Sequence, residues 1–199
     1  MAGSLVLPGI DGAPTAELLR RAKSSGVITF LDTVWDATGR WMELMSPCLP
    51  HIDYFVPSLP EAQAMTGRED PADVAQALLD HGVGTVALKM GGDGSMVMNQ
   101  SGEVHGLPAF DVTAVDATGA GDSFAAGFIA GVWHGWDLAD TLRLANATGA
   151  LSVMAMGAAG ATRSFAETID FMERTRCCPV KSLFCGQTVQ LTRLRFVFI

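Results

Sequence analysis

Short runs of apolar residues alternate with amphipathic segments over the first half of the chain. The runs that predict buried strands are 27–31, 53–56 and 85–90. The segments that predict helices, from apolar residues at helical spacing and from flanking Pro and Gly, are 14–25, 57–65 and 71–81. Strands that are apolar throughout are covered on both faces, which is typical of parallel sheets flanked by helices. The pattern therefore predicts an α/β fold with a mostly parallel central sheet.

A hairpin and two longer helices are predicted after this alternation. Residues 95–99 and 103–105 flank a polar, glycine-containing turn, which predicts an antiparallel edge to the sheet. Residues 110–115 then predict a strand that leads into a glycine-rich segment. The helix predicted at 121–134 is apolar nearly all round, so we expect it to be packed between layers, and a second helix is predicted at 137–155.

The glycine-rich segment, residues 115–131, reads V-D-A-T-G-A-G-D-S-F-A-A-G-F-I-A-G and carries the main candidate chemistry. Gly119, Ala120 and Gly121 have little or no side chain, so the backbone amides at this helix start are left bare. Such amides, together with the positive end of the helix dipole, suit an anion such as phosphate. Asp122 then lies in the first turn, where its carboxylate can accept a proton from a hydroxyl. The alternative is a glycine-rich helix start that serves only close packing.

The run D-A-T-G-A-G-D-S-F-A-A-G-F resembles the C-terminal signature of the PfkB, or ribokinase-like, carbohydrate kinases. Besides the central G-A-G-D, the matching positions are Asp116, Thr118, Phe124 and Gly127. The resemblance implies that residues 119–121 form an anion hole for the transferred phosphate. It also implies that Asp122 is the catalytic base.

The resemblance also implies a ribokinase-like three-layer α/β/α sandwich, whose mostly parallel sheet has an antiparallel edge. It covers about residues 8–173, the C-terminal portion of such a kinase. The family's N-terminal strands and its small β-lid over the sugar have no recognisable counterpart, so we expect both to be missing. We interpret residues 1–173 as this portion of a kinase domain. Residues 174–199 contain no Asp or Glu and match nothing in the family, so we interpret them as an atypical tail. It is either a β-forming extension or a disordered or aberrant segment.

Asp32 is the candidate for contact with the sugar. It follows a predicted strand, at the sheet edge where open α/β sheets bind ligands. Many members of the family carry D-x-N-x-R here, whereas this chain reads D-T-V-W-D, so that Val34 and Asp36 depart from the pattern and leave the identity of the sugar open. A cap at the end of the strand is the alternative role for Asp32.

Glu61 is the candidate for magnesium. The family often shows P-N-x-x-E-A at the start of this helix, and its acidic residue helps to place magnesium and phosphate through water. Glu61 matches that position, while Ser58 replaces the Asn with a shorter hydroxyl that can still bind a metal-bound water. The alternative is that Glu61 is an ordinary acidic residue of a helix N-terminus.

The nucleotide is expected to lie against the turn that follows residues 85–90. Gly91 and Gly94 resemble the family's G-x-x-G turn beneath the phosphates and ribose, and Lys89 before them is either a charge partner for phosphate or an ordinary solvated lysine. The R-L-A-N-A-T-G segment implies that Asn146 and Gly149 line the adenine pocket. The alternative is that these are helix-core residues that permit close packing.

A monovalent cation such as K⁺ is a further implication of the resemblance. In relatives, backbone oxygens of a loop matching Gly157-Ala158-Ala159-Gly160 help to hold it, near the positions of Asp116 and Thr118. We expect the cation, if bound, at this place.

Composition limits the kinds of binding partner and the cellular location that we expect for this protein. The chain has 199 residues, of which 49% are hydrophobic, enough for one sizeable core. A net charge of −8 argues against nucleic acid or an anionic membrane as partner, because either calls for a basic face. The four cysteines show neither zinc nor disulfide spacing, and no leader or membrane span is recognised, so we expect a cytoplasmic protein. Dimerisation through the lid is not expected.

The first hypothesis is therefore a PfkB-type kinase that uses ATP and Mg²⁺ to phosphorylate a hydroxyl of a sugar or sugar-like compound. The second is a catalytically inactive nucleotide-binding remnant, or a truncated product, because the sugar-binding half has no counterpart here. The third is an α/β domain without a ligand. No G-x-x-x-x-G-K-[ST] loop is present, which excludes P-loop chemistry.

Overall fold

A mixed sheet of six strands lies at the centre of the part of the chain that the computed structural model describes, residues 2–3, 11–158 and 163–178. The strands are β1 (Ala2–Gly3), β2 (Phe30–Thr33), β3 (Tyr54–Phe55), β4 (Thr85–Lys89), β5 (Ser95–Asn99) and β6 (Val104–Leu107). Their order in the sheet follows their order in the chain. β1 to β4 pair in parallel, whereas β4, β5 and β6 pair antiparallel, so the predicted parallel sheet with an antiparallel edge is confirmed.

Helices cover both faces of this sheet. They are α1 (Ala13–Ser24), α2 (Trp41–Met45), α3 (Leu59–Thr66), α4 (Pro71–Asp80), α5 (Ala120–Trp133), α6 (Leu138–Ser152) and α7 (Phe165–Arg174). Short 3₁₀ turns occur at Leu49–His51 and Gly91–Asp93. The predicted three-layer α/β/α sandwich is confirmed.

The alternation of side chains along each strand places apolar residues on both faces of the sheet. Leu31 and Phe55 pack on one face with residues from α1 to α4. Their neighbours Phe30 and Val56 pack on the other face with α5 and α6. Both faces are apolar because successive residues of a strand point to opposite sides and both sides are covered by helices.

Three of the sequence predictions about this fold were wrong. The buried strand predicted at 27–31 begins only at Phe30, and Val27 and Ile28 before it are exposed. Residues 110–115 do not form a strand, and only Phe110 makes an isolated bridge, to Cys177. Pro108 directly follows β6 and has no N–H to donate to a ladder, while the Val115 amide bonds to the Val153 carbonyl instead. Helix α5 is also not enclosed on all sides, because Ile129 and Trp133 on its outer face are exposed.

Two helices were not predicted. The five-residue α2 begins where the Trp41 amide donates to Asp36. In α7, Ser164 and Glu167 form a capping box, and the S-F-A-E sequence is a signal that could have located this helix. Of the proposed tail, Arg174 ends α7 and residues 176–178 pair with residues 109–111, while residues 179–199 lie outside the described residues.

Candidate active site

The glycine-rich segment forms the N-terminus of α5. Gly119 is the cap residue, with φ of 77°, and a Cβ atom there would lie 2.7 Å from the Cβ of Ala158, so this position requires glycine. Among the predicted anion-hole amides, that of Ala120 donates to the Ala117 carbonyl at 3.2 Å. Asp122 lies in the first turn and is exposed. The helix start thus presents small residues and a carboxylate to the space in front of it.

That space is a cleft of about 780 Å³ at the C-terminal edge of the parallel strands. It is lined by residues from the ends of β2 and β4 and from the starts of α3 and α5. The predicted site residues that line it are Asp32, Glu61, Lys89, Gly91, Gly119, Gly121 and Asp122. Parallel strands end at a common edge, which is why residues so distant in sequence meet here.

Lys89 and Asp32 form an ion pair inside the cleft. The Nζ atom of Lys89 lies 2.6 and 2.7 Å from the two carboxylate oxygens of Asp32, and about a tenth of each side chain is exposed, 13% and 10%. The same Nζ atom lies 3.3 Å from where a Cβ of Gly121 would be. Lys89 is therefore not a solvated strand-end lysine, and it lies between the Asp32 carboxylate and the start of α5.

Burial raises the pKa of the Asp32 carboxyl above its ordinary value. The Lys89 ammonium and the backbone amide of Thr33, which donates to Asp32 Oδ1 at 2.8 Å, act against this rise. Asp32 is thus held by a charge partner and a local backbone bond at the end of β2. Asp32 therefore caps the end of β2, which was its alternative role, and it also lines the cleft.

Glu61 is buried and belongs to the same hydrogen-bond network. Its Oε2 atom accepts from the Ser58 amide at 2.9 Å and from the Thr33 hydroxyl at 3.1 Å. With Ser58 it forms the capping box of α3. Because both of these bonds end on Oε2, the capping role and a contact between Oε1 and a metal-bound water are compatible.

A second pocket, of about 370 Å³, opens beside the cleft. It contains the residues predicted for the nucleotide: Lys89, Gly91, Gly94, Asn146 and Gly149. Lys89, Gly91 and Gly121 line both cavities, so the two are adjacent at the start of α5. A nucleotide in the second pocket could therefore extend its phosphates toward the cleft.

Asn146 lines this pocket but its amide group also has protein partners. Its Oδ1 accepts from the Ser95 hydroxyl at 2.8 Å, and its Nδ2 donates to the Pro108 carbonyl at 3.3 Å. These bonds join α6 to β5 and to the segment after β6. Contact between Asn146 and the nucleotide base stays a prediction. The alternative, a structural role for Asn146 within the protein, is present in these two hydrogen bonds.

Asp116 and Thr118 lie in the loop before α5. Asp116 accepts from the Thr118 amide at 2.9 Å, from the Thr118 hydroxyl at 2.7 Å and from the Gly157 amide at 2.8 Å. The hydrogen bond from the Thr118 hydroxyl, followed by those from the two amides, lowers the pKa of Asp116. The carboxylate therefore connects the loop to Gly157. The monovalent cation stays a prediction, and Ala159 and Gly160 lie outside the described residues.

Some lining residues were not anticipated. Trp35 and Val34 line the cleft with exposed side chains, whereas Asp36 turns away and binds the Thr38 and Trp41 amides. Cys178 lines the second pocket because its amide donates to the Ala109 carbonyl at 2.7 Å. No local sequence signal indicates this contact, which depends on a long-range pairing.

No group of three or more His, Cys, Asp or Glu in the described part of the chain is arranged to hold a metal ion by itself. The donor set of the cleft suits a magnesium ion that keeps much of its water and is held largely by substrate phosphates. Among the helices of the described residues, none has the length and apolarity to cross a bilayer.

Comparison with known proteins gives a consistent result. Residues 1–164 match the model of the pfkB family carbohydrate kinases. The chain is 29% identical over 170 residues to 2-dehydro-3-deoxygluconokinase of Bacillus subtilis, covering 78% of this chain and 52% of that protein. It is 32% identical over 149 residues to aminoimidazole riboside kinase of Salmonella typhimurium, covering 70% and 46%.

The fold also matches solved structures. An E. coli protein assigned as ribokinase II, in complex with ATP and Mg²⁺, superposes with a TM-score of 0.73 at 26% identity, covering 81% of this chain and 53% of that one. The chain spans about half the length of each of these proteins.

Proposed function

Because the chain belongs to the pfkB family of carbohydrate kinases, we propose that it transfers the γ-phosphoryl group of ATP to a hydroxyl of a sugar or sugar-like compound. The observation that carries the proposal is that two cavities share lining residues at the start of α5. Gly121 lines both, and Asp122 lies in the cleft on the acceptor side. A triphosphate that enters from the second pocket would end beside the carboxylate.

Each residue has a chemical role in this proposal. Asp122 takes the proton of the acceptor hydroxyl as its oxygen attacks the γ-phosphorus, and the bond to the β–γ bridging oxygen breaks, so that ADP leaves with the electron pair. The amides of Gly119 and Gly121 stabilise the charge that develops on the transferred group, and that of Ala120 would join them only by giving up its bond to the Ala117 carbonyl. Lys89, beside Gly121, adds a positive charge, and Asp32 binds acceptor hydroxyls.

Magnesium, when bound, would neutralise charge on the β- and γ-phosphate oxygens. Glu61 is the residue that would hold it, through water, because its carboxylate lines the cleft. Catalysis by this chain would then depend mainly on positioning and electrostatic stabilisation.

The second candidate is a nucleotide-binding protein without turnover. It is favoured by the difference between the cavities, since the second pocket is more enclosed by its lining while the cleft leaves Asp122, Val34 and Trp35 exposed. A nucleotide can be held where an acceptor is not brought close enough to react.

Calorimetric titration with ATP and Mg²⁺, followed by a coupled assay of ADP release across a panel of sugars, separates these candidates. The kinase proposal predicts saturable ATP binding and acceptor-dependent ADP release. Binding without release from any acceptor would favour the second candidate, and the absence of ATP binding would reject both.

A further inference from the structure

The outer face of α5 is apolar and exposed to solvent. Ala126, Ile129 and Trp133 follow one another at helical spacing and are all exposed, Ile129 by 48% and Trp133 by 85%. Asp122 in the first turn is the only charged residue of this helix. A solvated helix face normally carries polar and charged side chains, so this face has the character of one that packs against another surface.

A groove lies beside this exposed face, between α5, α6 and the start of α7. Its volume is about 360 Å³. The hydroxyl groups of Thr148 and Thr168 in its lining donate to backbone carbonyls four residues or fewer before them, so they add little polarity to the groove. The α5 residues that line the groove are mostly small, among them Ala126, Gly127 and Ala130. The groove therefore has room for a large apolar side chain from outside.

The exposed indole and the groove lie on the same helix and are complementary in size. Trp133 comes one turn after Ala130, the last α5 residue that lines the groove. If a second copy places its α5 antiparallel to the first, each Trp133 lies opposite Ala126 of the other copy, and Ile129 lies close to the twofold axis. The same contact is then made twice, as a twofold interface requires. The antiparallel arrangement also sets the positive end of each helix dipole beside the negative end of the other.

The apolar area available is that of a weak dimer. A tryptophan side chain buries about 150–250 Å², so two copies of Trp133 and the groove walls that receive them would bury on the order of 600–1,000 Å². The two Ile129 side chains, together with Phe165 in the groove, which is 43% exposed, bring the total close to the lower limit of about 1,000 Å² for a specific interface. The net charge of −8 on each copy opposes association.

We infer that the outer face of α5 is a self-association surface, on which Trp133 of each copy occupies the groove of the other in a twofold, antiparallel pair. The inference goes beyond the proposed function and does not depend on phosphoryl transfer. Asp122 lines both this groove and the cleft, so the edge of the interface would lie beside the proposed base.

Analytical ultracentrifugation of the full chain over a range of concentrations tests the inference. We expect a monomer–dimer equilibrium whose Kd rises at least tenfold in Trp133→Ala, which removes the indole, and in Ala126→Gln, which blocks the groove. Both positions are exposed, so both variants should fold, and far-ultraviolet circular dichroism checks this. Trp35→Ala is the control, because Trp35 is 61% exposed but lies outside α5, and its Kd should be unchanged.

Mixing the two variants distinguishes this arrangement from other dimers. The Ala126→Gln chain keeps its indole and the Trp133→Ala chain keeps an open groove, so a mixed pair retains one of the two contacts, whereas neither variant alone retains any. Energy transfer between differently labelled chains should therefore show a heterodimer with a Kd at least threefold lower than that of either homodimer.

Three results would overturn the inference. A chain that stays monomeric at all concentrations would leave the α5 face to a different polypeptide. A dimer whose Kd is unchanged in both variants would use another surface. Variants that are weakened but not restored by mixing would exclude the exchange of Trp133 between the two grooves.

Discussion

The Lys89 ammonium lies within 2.7 Å of both carboxylate oxygens of Asp32, although 57 residues separate the two in sequence. The strand between them, β3, brings the ends of β2 and β4 to one edge. Lys89 also lines both cavities, whereas Asp32 lines only the cleft. The pair therefore lies where the cleft and the second pocket adjoin, which in the proposed function are the acceptor side and the nucleotide side of the site.

Removal of Lys89 should destabilise the fold through its partner. We expect Lys89→Met to lower the free energy of unfolding by about 2–3 kcal/mol, because it leaves a mostly buried carboxylate without its charge partner. Both side chains keep a small solvent exposure, so the loss should be smaller than for a fully buried pair. Urea denaturation measures the change.

The matched variant is Lys89→Met combined with Asp32→Asn. The double variant should be more stable than the sum of the two single changes by about 1 kcal/mol or more, because no charge is then left unpaired. Additive effects of the single changes would mean that the ion pair contributes nothing to stability.

Asp122→Asn tests the proposed base. It should lower kcat by about 10²–10⁴-fold, the usual contribution of a general base, and leave ATP affinity and the unfolding midpoint nearly unchanged, because the side chain is exposed. Steady-state kinetics and calorimetry measure these quantities. Asp73→Asn is the control, since Asp73 is also an exposed acidic residue in a first helical turn, that of α4. If both variants keep full turnover, Asp122 is not the base.

The sheet and most helices were predictable because their signals are local. Apolar runs such as 85–90 and the alternation that follows need no knowledge of the rest of the chain. The resemblance in residues 115–131 likewise placed Asp122 and Gly121 at one helix start, where the structure has them. The strand predicted at 110–115 does not form because the backbone of this segment follows Pro108 and bonds to the Val153 carbonyl instead of to a strand. Neither feature can be recognised from the hydrophobic pattern.

The partners of the site residues were not predictable in the same way. Lys89 and Asp32 meet only when the strands are in register, and Ser95 meets Asn146 across 51 residues. The exposure of Trp35 in the segment after β2, where Asp36 binds the Thr38 and Trp41 amides, has no local sequence signal either. Such contacts depend on tertiary structure and cannot be predicted from composition or from the spacing of residues within one segment.

Gly119→Ala should damage both the fold and the anion hole. The backbone has φ of 77°, and the added Cβ would lie 2.7–2.8 Å from atoms of Ala158, so the loop must shift. We expect a loss of about 2 kcal/mol or more, of which about 1 kcal/mol is backbone strain, together with weaker ATP binding. Gly135→Ala is the matched control, because Gly135 has φ of 70° with nothing within 4 Å. Equal losses in the two variants would exclude the clash with Ala158.

Asp116 should make stability depend on acid pH. Hydrogen bonds from Thr118 and Gly157 lower its pKa in the folded state below the unfolded value, so its stabilisation is complete above the unfolded pKa of about 4 and is lost as the pH falls through the folded pKa. Urea midpoints measured between about pH 6 and pH 3 should therefore decline on acidification, and Asp116→Asn should show a shallower decline from a lower starting value.

Glu69→Gln, at an exposed acidic residue in the turn before α4, controls for the loss of one negative charge. Because the carboxylate connects the loop before α5 to Gly157, parallel profiles for Asp116→Asn and the unmodified chain would mean that this connection does not contribute to the stability of the site.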